Sequence, residues 1–130
     1  MPTHLPTPIQ IEAAGNKVKQ IQEHVGRLAT GHEQVSIASM RSPGGWTEPA
    51  QAPRFDEFTV VLSGRLRISS ADGDIDVTAG QAVVVHVGER VQYSTPDPEG
   101  AQYVAVCLPA FSPELVNREG GAEGTPEASV

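Results

Sequence analysis

The sequence predicts an all-β fold, a small barrel or sandwich of short antiparallel strands. Three observations carry this. Glycine (13) and proline (11) account for 24 of the 130 residues, and aromatics are few, a mix that suits turns and short strands rather than a helical bundle. From residue 33 the hydrophobic pattern takes a period of two, as in strands with one buried face. Turn signals recur at short, regular spacing, the pattern of sandwiches and barrels.

Taken in order, residues 1–15 are proline-rich and read as an irregular arm with a short strand at Ile9–Ile11. Asn16 suits a helix cap. Val18, Ile21 and Val25 recur at spacings of three and four, and Gly26 suits a helix stop, which predicts a short helix over 17–25. Gln34 to Met40 alternates polar and apolar as a strand. Ser42-Pro43-Gly44-Gly45 is turn chemistry. Phe58–Leu62 is the next strand; Ser63-Gly64 turns it, and Arg65–Ser69 is expected to pair back as a hairpin. Ala71-Asp72-Gly73-Asp74 is a strong turn, and Ile75–Val77 alternates again. The run Ala82–Val85 is expected to be buried on both faces. Val91–Ser94 and Gln102–Leu108 are the last strands, and Pro109 closes the second. The expected organisation is an arm and short helix over 1–32, one barrel over 33–110, and an extension over 111–130 that lacks order from about 119.

The formal net charge is −7 and the isoelectric point about 4.9. Such a surface repels polyanions, so neither nucleic acid nor an anionic membrane is an expected partner. The start Met1-Pro2-Thr3-His4-Leu5-Pro6 does not read as a secretory signal, and no stretch approaches the ~18 apolar residues of a membrane span. The single cysteine, Cys107, leaves no intramolecular disulfide and no cysteine-rich metal site. It reads as a small core residue, and a reducing, cytoplasmic setting is expected.

The most informative stretch runs from Gly45 to Gly64. It resembles the first signature of the cupin β-barrels, G-x5-H-x-H-x3-E-x6-G, with Gly45, Glu57 and Gly64 in register and Gln51 and Pro53 in the histidine slots. The second signature, G-x5-P-x-G-x2-H-x3-N, is matched by Gly80 and Gly88, while His86, Val91 and Thr95 depart from it. The resemblance covers about residues 33–110 and implies a single cupin (jelly-roll) barrel. Within that family the chain is similar to metal-ligand-poor members, including the ethanolamine-utilisation acetate-kinase-like proteins, through the run Asp56 to Gly64. It also resembles small bacterial cupins that end in Leu-Pro-Ala-Phe-Ser-Pro, here Leu108 to Pro113.

The resemblance implies four metal slots, occupied here by Gln51, Pro53, Glu57 and Val91. Proline and valine cannot ligate, and an amide with one carboxylate is a poor site for iron, manganese or zinc. No metal and no other cofactor is therefore expected. Glu57, if it points into the barrel, gains a raised pKa from desolvation and becomes a candidate general acid or base; the competing reading is a hydrogen-bonded structural glutamate. Tyr93 shares the inward parity of Val91 and reads either as a hydrogen-bond donor to substrate or as packing. His86 reads either as a proton shuttle at the rim or as a strand-end histidine bonded to backbone. The expected substrate-contacting set is Trp46, Gln51, Arg54, Thr59, Val61 and Val91, with Trp46 a lid or a barrel-end packing residue and Arg54 an anion binder or a solvent-facing cation. His4, His24 and His32 stand at no ligand spacing and read as surface.

The expected function is a metal-independent acid/base enzyme on a small organic molecule, of isomerase, cyclase or lyase type, with Glu57, His86 and Tyr93 as catalytic residues. Three other readings stand beside it: a non-catalytic ligand-binding or sensor barrel, a metal enzyme with an atypical set such as Glu57, His86 and Gln51, and acetate-kinase-like phosphoryl transfer. No dinucleotide or P-loop motif supports a nucleotide. A homodimer is expected, paired through an edge strand or an exchanged arm at residues 5–14.

Overall fold

A computed structural model describes residues 1–119. The expected disorder from about residue 119 falls, save for Glu119 itself, outside the described residues. Nine strands are described: β1 (Ile9–Ile11), β2 (Gln20–Val25), β3 (Ser36–Ser42), β4 (Trp46–Thr47), β5 (Asp56–Ser70), β6 (Gly73–Thr78), β7 (Ala82–Val85), β8 (Gln92–Thr95) and β9 (Ala101–Leu108). One short helix, α1 (Pro113–Val116), follows; Ser112 caps it by accepting from the Leu115 N–H, which satisfies one of the orphan donors of a first turn.

The strands run antiparallel in the order β1-β2-β3-β9-β5-β8-β4, with β6 and β7 also paired to β5. This is a curled sheet closing on itself, and it is the cupin β-barrel fold.

The helix over 17–25 is not present. Those residues form β2, laddered to β1 on one side and β3 on the other. Ile21 and Glu23 are buried and Gln20 and Gln22 exposed. The period is therefore two, but a glutamate occupies one inward position and hides it from a hydrophobicity reading. Val18, counted as part of a helical face, is 88% exposed.

The hairpin at Ser63-Gly64 is also absent. Asp56–Ser70 is one 15-residue strand, irregular at Val61/Ser63, and Gly64 has φ +79. This bends the strand without reversing it. The first half pairs with β9 and β7, the second with β6 and β8. A Cβ at Gly64 would run into the Gly100 carbonyl, so the bend also brings two backbones into contact.

Nor is Ala82–Val85 buried on both faces. Val85 is buried and Val83 half-buried, but Ala82 and Val84 are exposed, because β7 pairs only with β5 at a sheet edge.

The inward faces of β3, β5 and β9 carry Ser36, Ala38, Glu57, Thr59, Tyr103, Ala105 and Cys107, a small and polar set that leaves space. Farther along the barrel, Trp46, Val61, Leu66, Ile68, Val85, Val91 and Tyr93 make the main apolar cluster.

Candidate functional site

The space left by the small inward residues is a cavity of about 60 Å³. That is room for a few waters or for a small organic molecule. Its wall is mostly apolar, with a few converging polar groups, the usual make-up of a ligand site.

Glu57 is the acid of that wall. Strand parity points it inward from β5, and it is buried. The Tyr93 hydroxyl on β8 donates to its Oε1 at 2.9 Å, and the Cys107 thiol on β9 approaches its Oε2 at 3.9 Å. Burial raises the Glu57 pKa; the Tyr93 hydrogen bond pulls the other way, and nearby Glu48 adds to the rise. Desolvation wins because it penalises only the charged form. Burial and the adjacent Glu57 likewise hold Tyr93 well above the ordinary phenol range and push the Cys107 thiol up, so both are proton donors, not anions, at neutral pH.

A second polar group faces the same cavity. Lys19 enters on the segment between β1 and β2, its ammonium 4.2 Å from the Trp46 ring centroid and 5.2 Å from that of Tyr103. Burial alone would lower the Lys19 pKa, but Tyr103, Glu48 and Glu57 together raise it. Arg118 donates to Gln51 Oε1 at 3.1 Å and lies 3.7 Å from Glu48. Burial raises the Glu48 pKa, with Lys19 and Arg118 opposing it. Tyr103 shares a hydrogen bond of 2.7 Å with Ser42.

The segment bearing Lys19 is tied down at several points. The Trp46 indole donates to the Ala14 carbonyl at 3.2 Å, and Asn16 exchanges hydrogen bonds with Thr47 at 3.0 and 2.8 Å. Gly15 packs against the Trp46 indole where a Cβ would clash.

Of the sequence-predicted residues, Glu57, Tyr93, Gln51 and Thr59 line the cavity. Trp46, Val61 and Val91 are buried in the apolar cluster and do not line it; Trp46 is a core residue and the seat of Lys19, not a lid. Arg54 is exposed on the outer surface, its alternative reading. His86 is also exposed and away from the cavity. It ends β7 in a turn where its N–H donates to Glu89, because the register that turns Val85 inward sends the next side chain outward. Of the histidines expected at the surface, His32 is exposed, while His24 is half-buried and bonded to Ser39 at 2.8 Å.

Of the four slots that hold a metal in the resembled family, Gln51 and Val91 exchange backbone hydrogen bonds at 2.8 Å, Gln51 and Glu57 line the same cavity, and Pro53 is buried without lining it. Their donor set does not fit a divalent cation. The Gln51 oxygen is taken by a guanidinium, which would repel one, and the Glu57 oxygens face a hydroxyl and a thiol. Among the described residues no three His, Cys, Asp or Glu side chains converge as a ligand set.

The sequence places Glu48, with Trp46 and Gln51, on the approach to the pocket, but carries no site signal for Lys19, Arg118 or Tyr103. Lys19 and Arg118 lie outside the barrel motifs, one on the arm and one after α1, and charged residues there read as solvent-facing. Glu48 carried a signal, since it lies three residues before the Gln51 slot.

Fold and site together define a cupin-type barrel with a small, mostly apolar cavity. No family model matches the chain. It is similar to the polyketide cyclase RemF from Streptomyces resistomycificus (TM-score 0.68, 14% identity, 83% of this chain and 78% of that one). It is also similar to the EutQ protein of Clostridium difficile (0.60, 19%, 72% and 64%) and to an oxalate decarboxylase of Bacillus subtilis (0.70, 20%, 94% and 33%). At such identities these neighbours define the fold. Among curated proteins, the chain is 42% identical over 101 residues to endoribonuclease YbeY of Myxococcus xanthus, a match of 78% of this chain. The chain spans about a third (34%) of the length of that relative. No helix among the described residues is long and apolar enough to cross a membrane.

Proposed function

We propose that the protein is a small-molecule enzyme of isomerase, cyclase or lyase type that works by metal-independent proton transfer, with Glu57 as the acid/base. The observation that carries this is a buried glutamate facing a small cavity, held by a hydroxyl and a thiol. Its raised pKa brings it toward the range where a carboxyl serves in both protonation states. In the base step the Glu57 carboxylate takes a proton from a carbon beside a carbonyl. The C–H electron pair becomes the new C=C bond and the carbonyl π pair moves to oxygen, giving an enolate. Return of the proton to another carbon completes an isomerisation; loss of a β leaving group completes an elimination. Tyr93 fixes the carboxylate through Oε1, and Gln51 and Thr59 contact the substrate.

The test needs no knowledge of the natural substrate. The protein is incubated in D2O with neutral and anionic small carbonyl compounds, hydroxyacetone and pyruvate among them, and loss of the α-hydrogen NMR signal is followed. Protein-dependent exchange is expected, slowed about a hundredfold or more in Glu57→Gln, the usual contribution of a positioned base. Exchange that persists unchanged in Glu57→Gln excludes the mechanism.

One feature favours a second reading, a non-catalytic ligand-binding barrel: both Glu57 oxygens already have protein partners. It is distinguished by a ligand that raises Tm and is recovered without exchange. The endoribonuclease name of the curated relative is not carried over. The match covers a third of that protein, and the present chain is acidic. We further propose a cytoplasmic homodimer, supported by a free buried thiol and by an apolar outer face.

A further inference from the structure

We propose that the cavity binds a small organic monoanion, its carboxylate seated on the Lys19 ammonium with Arg118 as the neighbouring positive charge. The inference rests on the proton-transfer reading only for the part played by Glu57.

Lys19 is an uncommon lysine. Its ammonium faces an interior cavity and is cradled by two ring faces, Trp46 and Tyr103. Ring faces attract a cation but supply no counter-charge. Among the described residues no carboxylate forms an ion pair with Lys19. A buried ammonium without a paired anion is costly, and a ligand carboxylate is the group that would relieve it.

Glu48 acts on both cations of the wall: it lies 3.7 Å from Arg118 and, from beyond ion-pair distance, also raises the Lys19 pKa. The Glu23 carboxylate turns aside to accept from the Leu28 and Ala29 amides at 3.0 and 2.9 Å. Burial favours the neutral form of Glu57. Glu48 is thus shared between two cations, Lys19 and Arg118, and among the described residues no carboxylate lies within ion-pair distance of the Lys19 ammonium. Lys19 and Glu57 line the same small cavity, so a carboxylate on Lys19 leaves its next carbons in the space that Glu57 faces.

Trp46 is the only tryptophan and its ring lies under the Lys19 ammonium, so its fluorescence reports on the subsite. The full-length chain is titrated with pyruvate and propanoate, and in parallel with the neutral isosteres pyruvamide and propanamide. Saturable changes in Trp46 emission are expected with the acids and not with the amides. Lys19→Met, checked for native circular dichroism, is expected to weaken acid binding about tenfold or more, the usual loss for a hydrogen bond to a charged group. Glu57→Gln is expected to keep the contrast between acid and amide.

Equal responses to acid and amide, no saturable response to either acid, or a folded Lys19→Met that binds the acids as the parent does, each overturns the subsite. If Lys19→Met does not fold, the acid–amide contrast on the native chain decides. Loss of that contrast with Glu57-dependent exchange of hydroxyacetone intact sinks the subsite alone. The contrast intact with no α-hydrogen exchange on any probe sinks the proton-transfer reading alone.

Discussion

At the scale of residues, Glu57 shows how one inward side chain couples stability to chemistry. Its folded pKa lies above the ordinary value of 4.5. Below that value the carboxyl is protonated in both the folded and unfolded states and costs nothing. As pH rises past it, the unfolded chain releases the proton first, so stability falls until the folded pKa is passed. Glu57→Gln removes that loss while keeping an oxygen for the Tyr93 hydroxyl. The variant is therefore expected to melt higher than the parent at about pH 8, with the difference shrinking toward about pH 4. A Tm difference that is constant with pH, or larger at the acid end, would mean that Glu57 is not held toward its neutral form. The inward placement of Glu57, Gln51, Thr59 and Tyr93 was legible from strand parity and motif spacing. Lys19 and Arg118 were not, because their burial depends on segments outside the barrel folding over its cavity, and no local pattern marks that.

At the scale of elements, the described strands of the barrel were largely legible, since alternation and turn residues are local properties. Two elements were not. The arm over 17–25 satisfies a helical spacing and a strand spacing at once; the ladders offered by β1 and β3 decide for the strand. Gly64 looks like a hairpin turn, yet Gly64 pairs with Ala101 and Arg65 with Thr78, so the strand continues into new partners. Its φ of +79 and the contact with Gly100 make it the hinge of that long strand. Gly64→Ala is expected to cost about 1–3 kcal/mol for the left-handed backbone alone, and more for the clash. Denaturant unfolding measures this, and a loss under about 0.5 kcal/mol, the range of ordinary surface changes, would refute the strained bend.

At the scale of the whole molecule, the barrel is unusual in how it distributes apolar side chains. The face of β5 that turns outward carries Phe58, Val60 and Leu62, exposed by 37, 45 and 57%, with Val84 and Leu108 beside them at 43 and 41%. The register makes them one patch: Phe58 lies between Val84 and Val106, and Val60 opposite Val104. Those pairs are uncharged; Asp56, opposite Leu108, bounds the patch at one end. Single exposed apolar residues are ordinary, but a contiguous face of this kind marks an interface. In the proposed homodimer a second copy would cover this face, since an apolar sheet face can pair with itself about a two-fold axis. This differs from pairing through the arm, since Ile9–Ile11 already pairs with β2 of its own chain. Light scattering is expected to give twice the 13.7 kDa chain mass, and Val60→Glu to reduce it to one chain with the fold intact. A monomeric parent would refute the dimer.

The sequence by itself determined the fold class, the two glycine frameworks and the absence of the imidazoles expected at the family's metal slots, because each is written in residue type and spacing along the strands. Tertiary structure alone decided that a strand replaces the arm helix, that His86 faces solvent, and that Lys19 and Arg118 join Glu57 around one cavity. These depend on contacts between segments far apart in the chain. There, burial and the loss of water set both conformation and charge.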